Sequence, residues 1–344
     1  MNNLTINLLK ALEMQGKKRQ SIPVLKMVRS YDNTLRVTDL DQVLSVTLPE
    51  GNTTFKHNQL YQAAGLSIAP QESDSDPDDF PTMDMNGGTE AVRMTVPTAR
   101  FIKELEYVFL AASTEETRYF LNGICFGDQE LVATDGYMLN RSPFGYGGSF
   151  YDAIHGGIIP SDTIKNVLRL GKALLKEDKN NQLTLHAHPD CPRMMFSFTP
   201  VRGHEVNVLT KLVDGKFPEY QRAIPAENRT QYVGMFHVKH LRALKPLVGM
   251  MPTRTKHVLI NPDGTLGLAD KTINTSTWDS LIQQPVVQVE NISLRQSSYN
   301  YDYLLKAMKG MVRPEYHQNT LGVSPCNIIC EETGRKATIL PIRY

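Results

Sequence analysis

The sequence is poor in cysteine and tryptophan and has no long apolar run. Its 344 residues include 4 cysteines, all in apolar or strand-like contexts, and 1 tryptophan. No run approaches the roughly eighteen apolar residues that a membrane-spanning helix requires. Because Met1–Lys10 does not resemble a signal peptide, we expect a reduced, cytoplasmic compartment.

The sequence also lacks the motifs of common enzyme classes. It has no Gly-x-x-x-x-Gly-Lys-Ser/Thr loop for phosphate, no Gly-x-Gly-x-x-Gly and no Gly-x-Ser-x-Gly. His186, His188 and Cys191 have metal-binding side chains, but no other candidate ligand with suitable spacing stands nearby. Cys326 and Cys330 fit a buried strand better than half of a zinc or redox motif. We therefore expect no catalytic residue, metal or cofactor, and an enzyme built around the histidine cluster is the weakest alternative.

A unit of helix, strand, turn and strand occurs three times along the chain. Its clearest copy has a helical pattern at Ala99–Ala112, then two alternating runs on either side of Gly127–Gln129 that end in Thr134-Asp135-Gly136. Similar runs end at Asp39 and Asp270. The repetition predicts an α+β fold of tandem domains. The marker aspartates fit turns better than acid–base catalysis, because aspartate readily bonds nearby backbone groups.

Breaks in this pattern predict three domains, at residues 1–88, 89–226 and 227–344. The first is shorter than the others by roughly forty residues if all three share one module. It contains the segment Gln71–Asp79, which is rich in Asp, Ser and Pro and predicts a solvated loop.

The net charge of +1 does not by itself indicate a nucleic-acid partner. Cations nevertheless cluster on the predicted helices, whereas acids collect in loops and strands. Lys165, Arg169 and Lys172 recur at positions i, i+4 and i+7 and therefore share one helix face. If the helices share one side of the molecule, that side is basic and suits a nucleic-acid backbone, without sequence readout. Charge alone leaves open the alternative that these are ordinary solvated helix faces.

Four motifs resemble those of one known family. They are Arg118-Tyr-Phe-Leu-Asn-Gly123, Ala133-Thr-Asp-Gly136, Lys211–Arg222 and Leu340-Pro-Ile-Arg-Tyr344. In this order they resemble the bacterial β sliding clamp, which is the beta subunit and processivity factor of DNA polymerase III. The resemblance implies three clamp-type domains with helices on one face of curved antiparallel sheets. It also implies a ring formed by a head-to-tail homodimer.

The function implied by the resemblance is not catalytic. A clamp encircles double-stranded DNA without reading its sequence, and it tethers the polymerase, the clamp loader and other partners through short linear motifs of the Gln/Leu/Phe type. The resemblance implies a partner-peptide groove between the second and third domains, formed by Leu121, Thr134, Gly136, Tyr137, Met138, Leu139, Pro218, Arg222, Ala223, Tyr303, Ile339, Leu340, Pro341 and Ile342. It places DNA-facing cations at Arg19, Lys165, Arg169, Lys172, Lys239, Arg242, Lys306 and Lys309.

Two departures from the family pattern leave alternatives open. Tyr137-Met138 stands where the family usually has His-Arg, so one rim of the groove loses a cation and gains apolar surface. The first domain also lacks the stretch that supplies its last strands, including the edge that pairs with a neighbouring subunit. Because a missing edge removes main-chain hydrogen bonds from the dimer contact, a clamp-like adaptor or decoy that does not close a ring on DNA is the alternative function.

Overall fold

The computed structural model describes residues 2–16, 21–51, 53–85, 90–226, 229–251, 256–268, 283–290, 295–319 and 325–342. The chain divides into two compact units. Unit 1 comprises Met1–Glu106, Gly123–Gln129 and Gly145–Lys216, and unit 2 comprises Tyr107–Asn122, Glu130–Phe144 and Phe217–Tyr344. The division of the sequence into three domains stays a prediction.

Seven described α-helices and twenty described strands make up these units. The helices are α1 Asn3–Gly16, α2 Thr98–Phe109, α3 Gly148–Ile154, α4 Ser161–Glu177, α5 Val238–Ala243, α6 Lys245–Gly249 and α7 Tyr301–Ala307. The strands are β1 Met27–Tyr31, β2 Thr34–Thr38, β3 Gln42–Thr47, β4 Gln59–Gln62, β5 Val92–Pro97, β6 Gly123–Phe126, β7 Glu130–Thr134, β8 Met138–Pro143, β9 Ile158–Pro160, β10 Gln182–Ala187, β11 Arg193–Val201, β12 His204–Lys211, β13 Thr230–Phe236, β14 His257–Ile260, β15 Leu266–Leu268, β16 Val287–Val289, β17 Ser297–Asn300, β18 Glu315–Asn319, β19 Cys326–Cys330 and β20 Arg335–Ile339. Among the described residues, no helix combines the length and apolar character needed to cross a membrane.

Unit 1 is built on one antiparallel sheet of eight strands, in the order β4-β1-β2-β3-β12-β11-β10-β5. Helices α1 and α4 pack against each other and on one face of this sheet. The leucines of α1 recur every three or four residues, so that Leu8 and Leu12 are fully buried. Alternate strand residues such as Leu44 and Val46 are buried as well. The buried apolar side chains of the helices and of the strands thus form a single layer between them.

A buried polar cluster joins the two helices of unit 1 to the sheet. The Asn166 Nδ2 on α4 donates to the Gln15 Oε1 on α1 at 3.0 Å and to the Gln42 Oε1 on β3 at 2.9 Å. The Gln15 Nε2 in turn donates to the Asp39 carboxylate. Because an unpaired buried amide is costly, this cluster fixes the register of α1 on α4.

Unit 2 contains a run of antiparallel strands in the order β16-β13-β18-β19-β20-β8-β7 and a separate three-stranded sheet, β15-β14-β17. Cys326 and Cys330 lie on β19, are fully buried and carry free thiols, in agreement with the buried-strand interpretation. The sequence pattern predicts one helix over Val238–Met250, but the structure has two short helices, α5 and α6, with a break at Leu244. The prediction is wrong because Pro246 has no amide to donate to the preceding turn.

The acidic segment Gln71–Asp79 lies along the edge of the unit 1 sheet. Its carboxylates are exposed, as expected for a solvated loop, but its backbone is paired. The Ser73 amide donates to the Leu60 carbonyl at 2.9 Å, and the Gln62 amide donates to the Gln71 carbonyl at 2.9 Å. This stretch therefore occupies the outer edge of β4. The sequence pattern predicts a short helix over Asn58–Ala64, and this prediction is wrong because Gln59–Gln62 pairs with β1 as a strand.

Candidate functional site

The predicted turn after β7 forms through hydrogen bonds within five residues. The Asp135 Oδ1 accepts from the amides of Tyr137 and Met138, both at 2.9 Å. The Thr134 hydroxyl donates to the Met138 carbonyl at 2.7 Å and accepts from the Gly136 amide at 3.0 Å. The same pattern recurs after β2 at Thr38 and Asp39, so the interpretation of these aspartates as turn residues is confirmed, while Asp270 lies outside the described residues.

Glycine is required at the centre of this turn. Gly136 has a φ of +93°, and a Cβ there would lie 2.9 Å from the Nη1 of Arg118. Arg118 is itself held by Glu115 at 2.7 Å. The turn therefore projects the Tyr137 side chain outward, and this ring is 57% exposed.

The segment after β20 is fastened beside this turn. Strand β20 pairs with β8, so that Ile339 lies opposite Met138. The Leu340 amide then donates to the Tyr137 carbonyl at 2.9 Å, and the Ile342 amide donates to the Ser298 carbonyl at 2.8 Å. Main-chain bonds on both sides thus hold Leu340–Ile342 in place, while the Leu340 side chain stays 38% exposed.

The Thr134–Met138 turn and the Leu340–Ile342 segment border a cavity of about 430 Å³ within unit 2. It is lined by Tyr137, His257, Asn300, Tyr303, Leu340, Pro341 and Ile342. No lysine or arginine is among these described lining residues. A cavity of this size, mainly apolar with a few polar groups, suits one or two side chains of a bound peptide.

Two residues at the start of α7 shape the floor of the cavity. The Asn300 side chain caps the helix by accepting from the amides of Asp302 at 2.9 Å and Tyr303 at 3.3 Å. Burial and a hydrogen bond to the Asp135 carboxylate raise the pKa of the Tyr303 hydroxyl above its usual value. Tyr303 therefore remains a neutral donor that links α7 to the Thr134–Met138 turn.

Of the predicted groove residues, Tyr137, Tyr303, Leu340, Pro341 and Ile342 line the cavity. The others do not line it and fall into two groups. One group is buried beneath the turn and strands, namely Leu121, Thr134, Met138, Leu139 and Ile339. The other is exposed, namely Gly136, Pro218, Arg222 and Ala223.

The exposed residues after β12 belong to a short segment with its own anchor. The Tyr220 hydroxyl donates to the Glu130 carboxylate at 2.9 Å, and Glu130 also lies 3.6 Å from Arg141. Arg222 pairs with Glu219 at 2.6 Å. This arrangement presents Pro218, Arg222 and Ala223 to solvent near the start of β7.

Two lining residues, His257 and Asn300, are absent from the sequence prediction. His257 begins β14 and Asn300 ends β17, and the two residues are directly opposite each other in that antiparallel pair. The Asn-x-Asp pattern at the start of α7 was a usable cap signal for Asn300. No local pattern distinguishes His257, because its place depends on strand pairing.

A second cavity in unit 2, of about 580 Å³, is rich in cations. It is lined by Leu110, Arg242, Lys245, Asp302, Leu305, Lys306 and Lys309. The structure therefore brings together three predicted DNA-facing residues, Arg242, Lys306 and Lys309, and adds Lys245. Lys239 is exposed on α5 but does not line this cavity.

The predicted cations of α4 have partners within unit 1. Lys165 lies 3.0 Å from Asp162, and Lys172 lies 3.0 Å from Glu106. The half-buried Arg169 donates to the Asn166 Oδ1 at 3.0 Å, and burial lowers its pKa. These pairs reduce the positive field of the helix face. Arg19 lies outside the described residues.

The histidine cluster does not form a metal centre in the part of the chain that the structure describes. No group of three or more His, Cys, Asp or Glu side chains there could hold a metal ion. The His188 Nδ1 accepts from the Asp190 amide at 3.0 Å, which is a local turn contact. Burial and nearby Arg93 lower the pKa of His186.

Comparison with known proteins finds relatives for the central part of the chain. Residues 95–219 match the family model described as DNA polymerase III beta subunit, central domain. The beta sliding clamp of Caulobacter vibrioides strain NA1000 is 33% identical over 162 residues, which cover 44% of this chain and 38% of that protein. The Escherichia coli K12 beta sliding clamp is 30% identical over 153 residues, covering 43% of this chain and 37% of that protein. The match thus spans well under half the length of these curated relatives.

Solved structures extend the likeness to the whole chain. The Bacillus subtilis DNA polymerase sliding clamp has a TM-score of 0.75 at 18% identity, over 99% of this chain and 97% of that chain. The C. crescentus beta sliding clamp, solved with polyethylene glycol bound, has a TM-score of 0.72 at 22% identity, over 99% and 97% of the two chains. The sliding-clamp fold predicted from the sequence motifs is confirmed.

Proposed function

We propose that this chain, a divergent relative of the bacterial β sliding clamps, is itself a DNA sliding clamp. In this role it is a non-catalytic processivity factor that acts in the cytoplasm as a homodimeric ring. It encircles double-stranded DNA without sequence specificity and tethers the replicative polymerase, the clamp loader and other partners. The observation that carries the proposal is the likeness of fold along 97% of the solved clamps.

The basic cavity of unit 2 supports the DNA-binding part of this function. Four cations from α5, α6 and the α7 region surround it, and Arg242, Lys245 and Lys309 are exposed. Exposed cations attract phosphates through solvent, and the attraction falls with salt. Such loose contacts hold DNA without fixing the protein at one position, which suits sliding.

The apolar cavity at Tyr137 and Leu340–Ile342 supports the tethering part. A linear peptide gains affinity by inserting apolar anchors into such a cavity, and few contacts supply most of the energy. Its described lining has no lysine or arginine. We therefore assign to this cavity a partner motif with uncharged apolar anchors.

The adaptor or decoy is the second candidate function, and one specific observation favours it. The outer edge of β4 is occupied by the chain's own segment, since Ser73 and Gln71 pair with Leu60 and Gln62. The main-chain groups of Leu60 and Gln62 at this edge are therefore not free to pair with a strand of a second copy. A ring must then close through side-chain contacts or through another edge.

Charge introduced into the apolar cavity tests the tethering function. The double variant Leu340→Lys/Ile342→Lys places two ammonium groups on the cavity wall. Because burying an unpaired charge is costly, we expect the affinity for a fluorescent peptide of the Gln/Leu/Phe type to fall at least about tenfold. Fluorescence anisotropy measures this loss.

The matched control is Val312→Lys, which places the same charge on a side chain that is 70% exposed and outside the cavity. It should leave both peptide affinity and far-UV circular dichroism unchanged. If the double variant binds the peptide as tightly as the parent chain, the assignment of the groove is wrong.

A further inference from the structure

A third cavity, of about 350 Å³, lies on the face of the unit 1 sheet opposite α1 and α4. On β3, Gln42 points toward α4, as shown by its bond with Asn166. Val43 and Ser45 therefore point to the other face. On β12, Thr210 bonds Thr163 of α4 at 2.7 Å, so its neighbour Leu209 also points away from the helices.

The apolar half of this cavity is formed by neighbouring side chains on three strands and by a chain segment that covers them. Val43 pairs with Leu209, and Leu209 pairs with Met195, so three apolar side chains stand side by side across β3, β12 and β11. The segment from Phe80 to Met85 passes over them and completes the wall. Together they form a short apolar slot.

The polar half carries two guanidinium groups. Arg29 on β1 and Arg36 on β2 are direct cross-strand partners, and both line the cavity. Like charges placed opposite each other on neighbouring strands destabilise a sheet. Ser45 pairs with Arg36 on one side and with Asn207 on the other, which extends the polar row across four strands.

Neither guanidinium is fully compensated by the described residues. The Arg29 Nε is buried and has no hydrogen-bond partner there. The Arg29 Nη2 donates to the Asn58 Oδ1 at 3.0 Å, but its nearest carboxylate, from Asp78, lies at 3.5 Å and is 83% exposed. Within the described part of the chain, the Arg36 guanidinium is exposed and lies in no ion pair.

A carboxylate on the wall does not cancel this charge. Asp84 lines the cavity, but it lies 3.5 Å from Arg193, which also donates to its carbonyl at 2.9 Å. Arg193 therefore offsets Asp84. The cavity keeps a positive end at Arg29 and Arg36 and an apolar end at Val43, Leu209 and Met195.

We infer that this cavity binds a small amphipathic anion, with a carboxylate or phosphate between Arg29 and Arg36 and a short apolar body in the slot. Guanidinium forks bind such groups through paired, charge-assisted hydrogen bonds. An anion there relieves the repulsion between the two arginines and gives the buried Arg29 Nε an acceptor. The peptide and DNA contacts proposed above use other residues, so this is a separate binding site.

Methionine methyl NMR of the full chain tests the inference. Met83, Met85 and Met195 line the cavity, and their methyl signals can be assigned with single Met→Leu variants. The probes are octanoate and octyl phosphate, which share the apolar body and differ in the anionic group. We expect saturable shifts of these three signals with at least one probe, and a much weaker response to the neutral isostere 1-octanol.

Substitution of the exposed Arg36 by Gln keeps the shape of the wall and removes one charge. Since one charge-assisted bond is lost, we expect the dissociation constant of the responding probe to rise about tenfold. Arg29→Lys, which keeps the charge but not the fork, should give a smaller rise. The matched control Arg93→Gln, on the exposed edge strand β5 of the same sheet, should leave the constant unchanged.

The inference is overturned if neither anionic probe shifts the three methyl signals. It is equally overturned if 1-octanol binds as tightly as the anions, because the arginines would then have no role. Equal affinity of the responding probe for Arg36→Gln and for the parent chain would overturn it as well. A response to octyl phosphate alone, or to octanoate alone, supports the site and identifies the anionic group it selects.

Discussion

Asn166 offers a direct test of how unit 1 is held together. Its side chain is 3% exposed and donates to the Gln15 and Gln42 side-chain oxygens at 3.0 and 2.9 Å. Asn166→Ala leaves two buried amide oxygens without this donor, at roughly 1–3 kcal/mol each. It also removes the acceptor for Arg169. We expect the free energy of unfolding to fall by about 3 kcal/mol.

Urea unfolding followed by far-UV circular dichroism measures this loss, and hydrogen–deuterium exchange assigns it to α1, α4 and their strands. The control Asn180→Ala removes an exposed amide after α4 and should change the free energy of unfolding by less than about 0.5 kcal/mol. A double-mutant cycle with Gln42→Ala should show coupling of about 1 kcal/mol or more. A loss below about 1 kcal/mol for Asn166→Ala, or a coupling of zero, would refute the proposed role of the cluster.

Two further predictions concern DNA affinity and pH. Arg242→Glu should weaken binding of a DNA duplex several-fold and reduce the slope of its salt dependence by roughly one ion. The control Lys336→Glu changes an exposed residue outside the basic cavity and should have little effect on DNA affinity. Equal losses of affinity for the two variants in anisotropy titrations would contradict a DNA-facing role for Arg242. Burial lowers the pKa of His204, which bonds Thr5 at 2.9 Å. The folded chain thus binds fewer protons than the unfolded chain, so stability should fall as the pH drops below about 6.5. His204→Gln should make the urea midpoint less dependent on pH between about 7.5 and 5.5, and an unchanged dependence would count against this assignment.

Short-range chemistry was the most predictable part of the fold. The turns at Asp39 and Asp135 rest on hydrogen bonds between residues at most four positions apart. Such bonds are encoded within a single short motif. The motif therefore predicts the turn at both of its described copies.

Long-range pairing decided strand β4, which the sequence pattern predicted wrongly. The pattern of Asn58–Ala64 predicts a short helix, but Gln59–Gln62 pairs with β1 and with the acidic segment. Tertiary pairing of this kind overrides local propensity. The edge of the sheet was thus predictable only with knowledge of its partner strand.

The candidate groove contains residues that a sequence motif indicates and residues that only strand pairing brings there. Tyr137 and Leu340–Ile342 lie in motifs that resemble the clamp family, and they line one cavity. His257 joins them because β14 pairs with β17, which places it opposite Asn300. Because roughly forty residues separate His257 from Asn300 in the sequence, no local pattern indicates that the two are neighbours.

The proposed clamp function depends most on whether two chains close a ring. Light scattering coupled to size-exclusion chromatography, over a wide range of protein concentration, measures this directly. The chain mass is 38.7 kDa, and the proposal predicts a species of twice that mass that persists on dilution. A mass of one chain at every concentration would contradict the ring and would favour the adaptor or decoy.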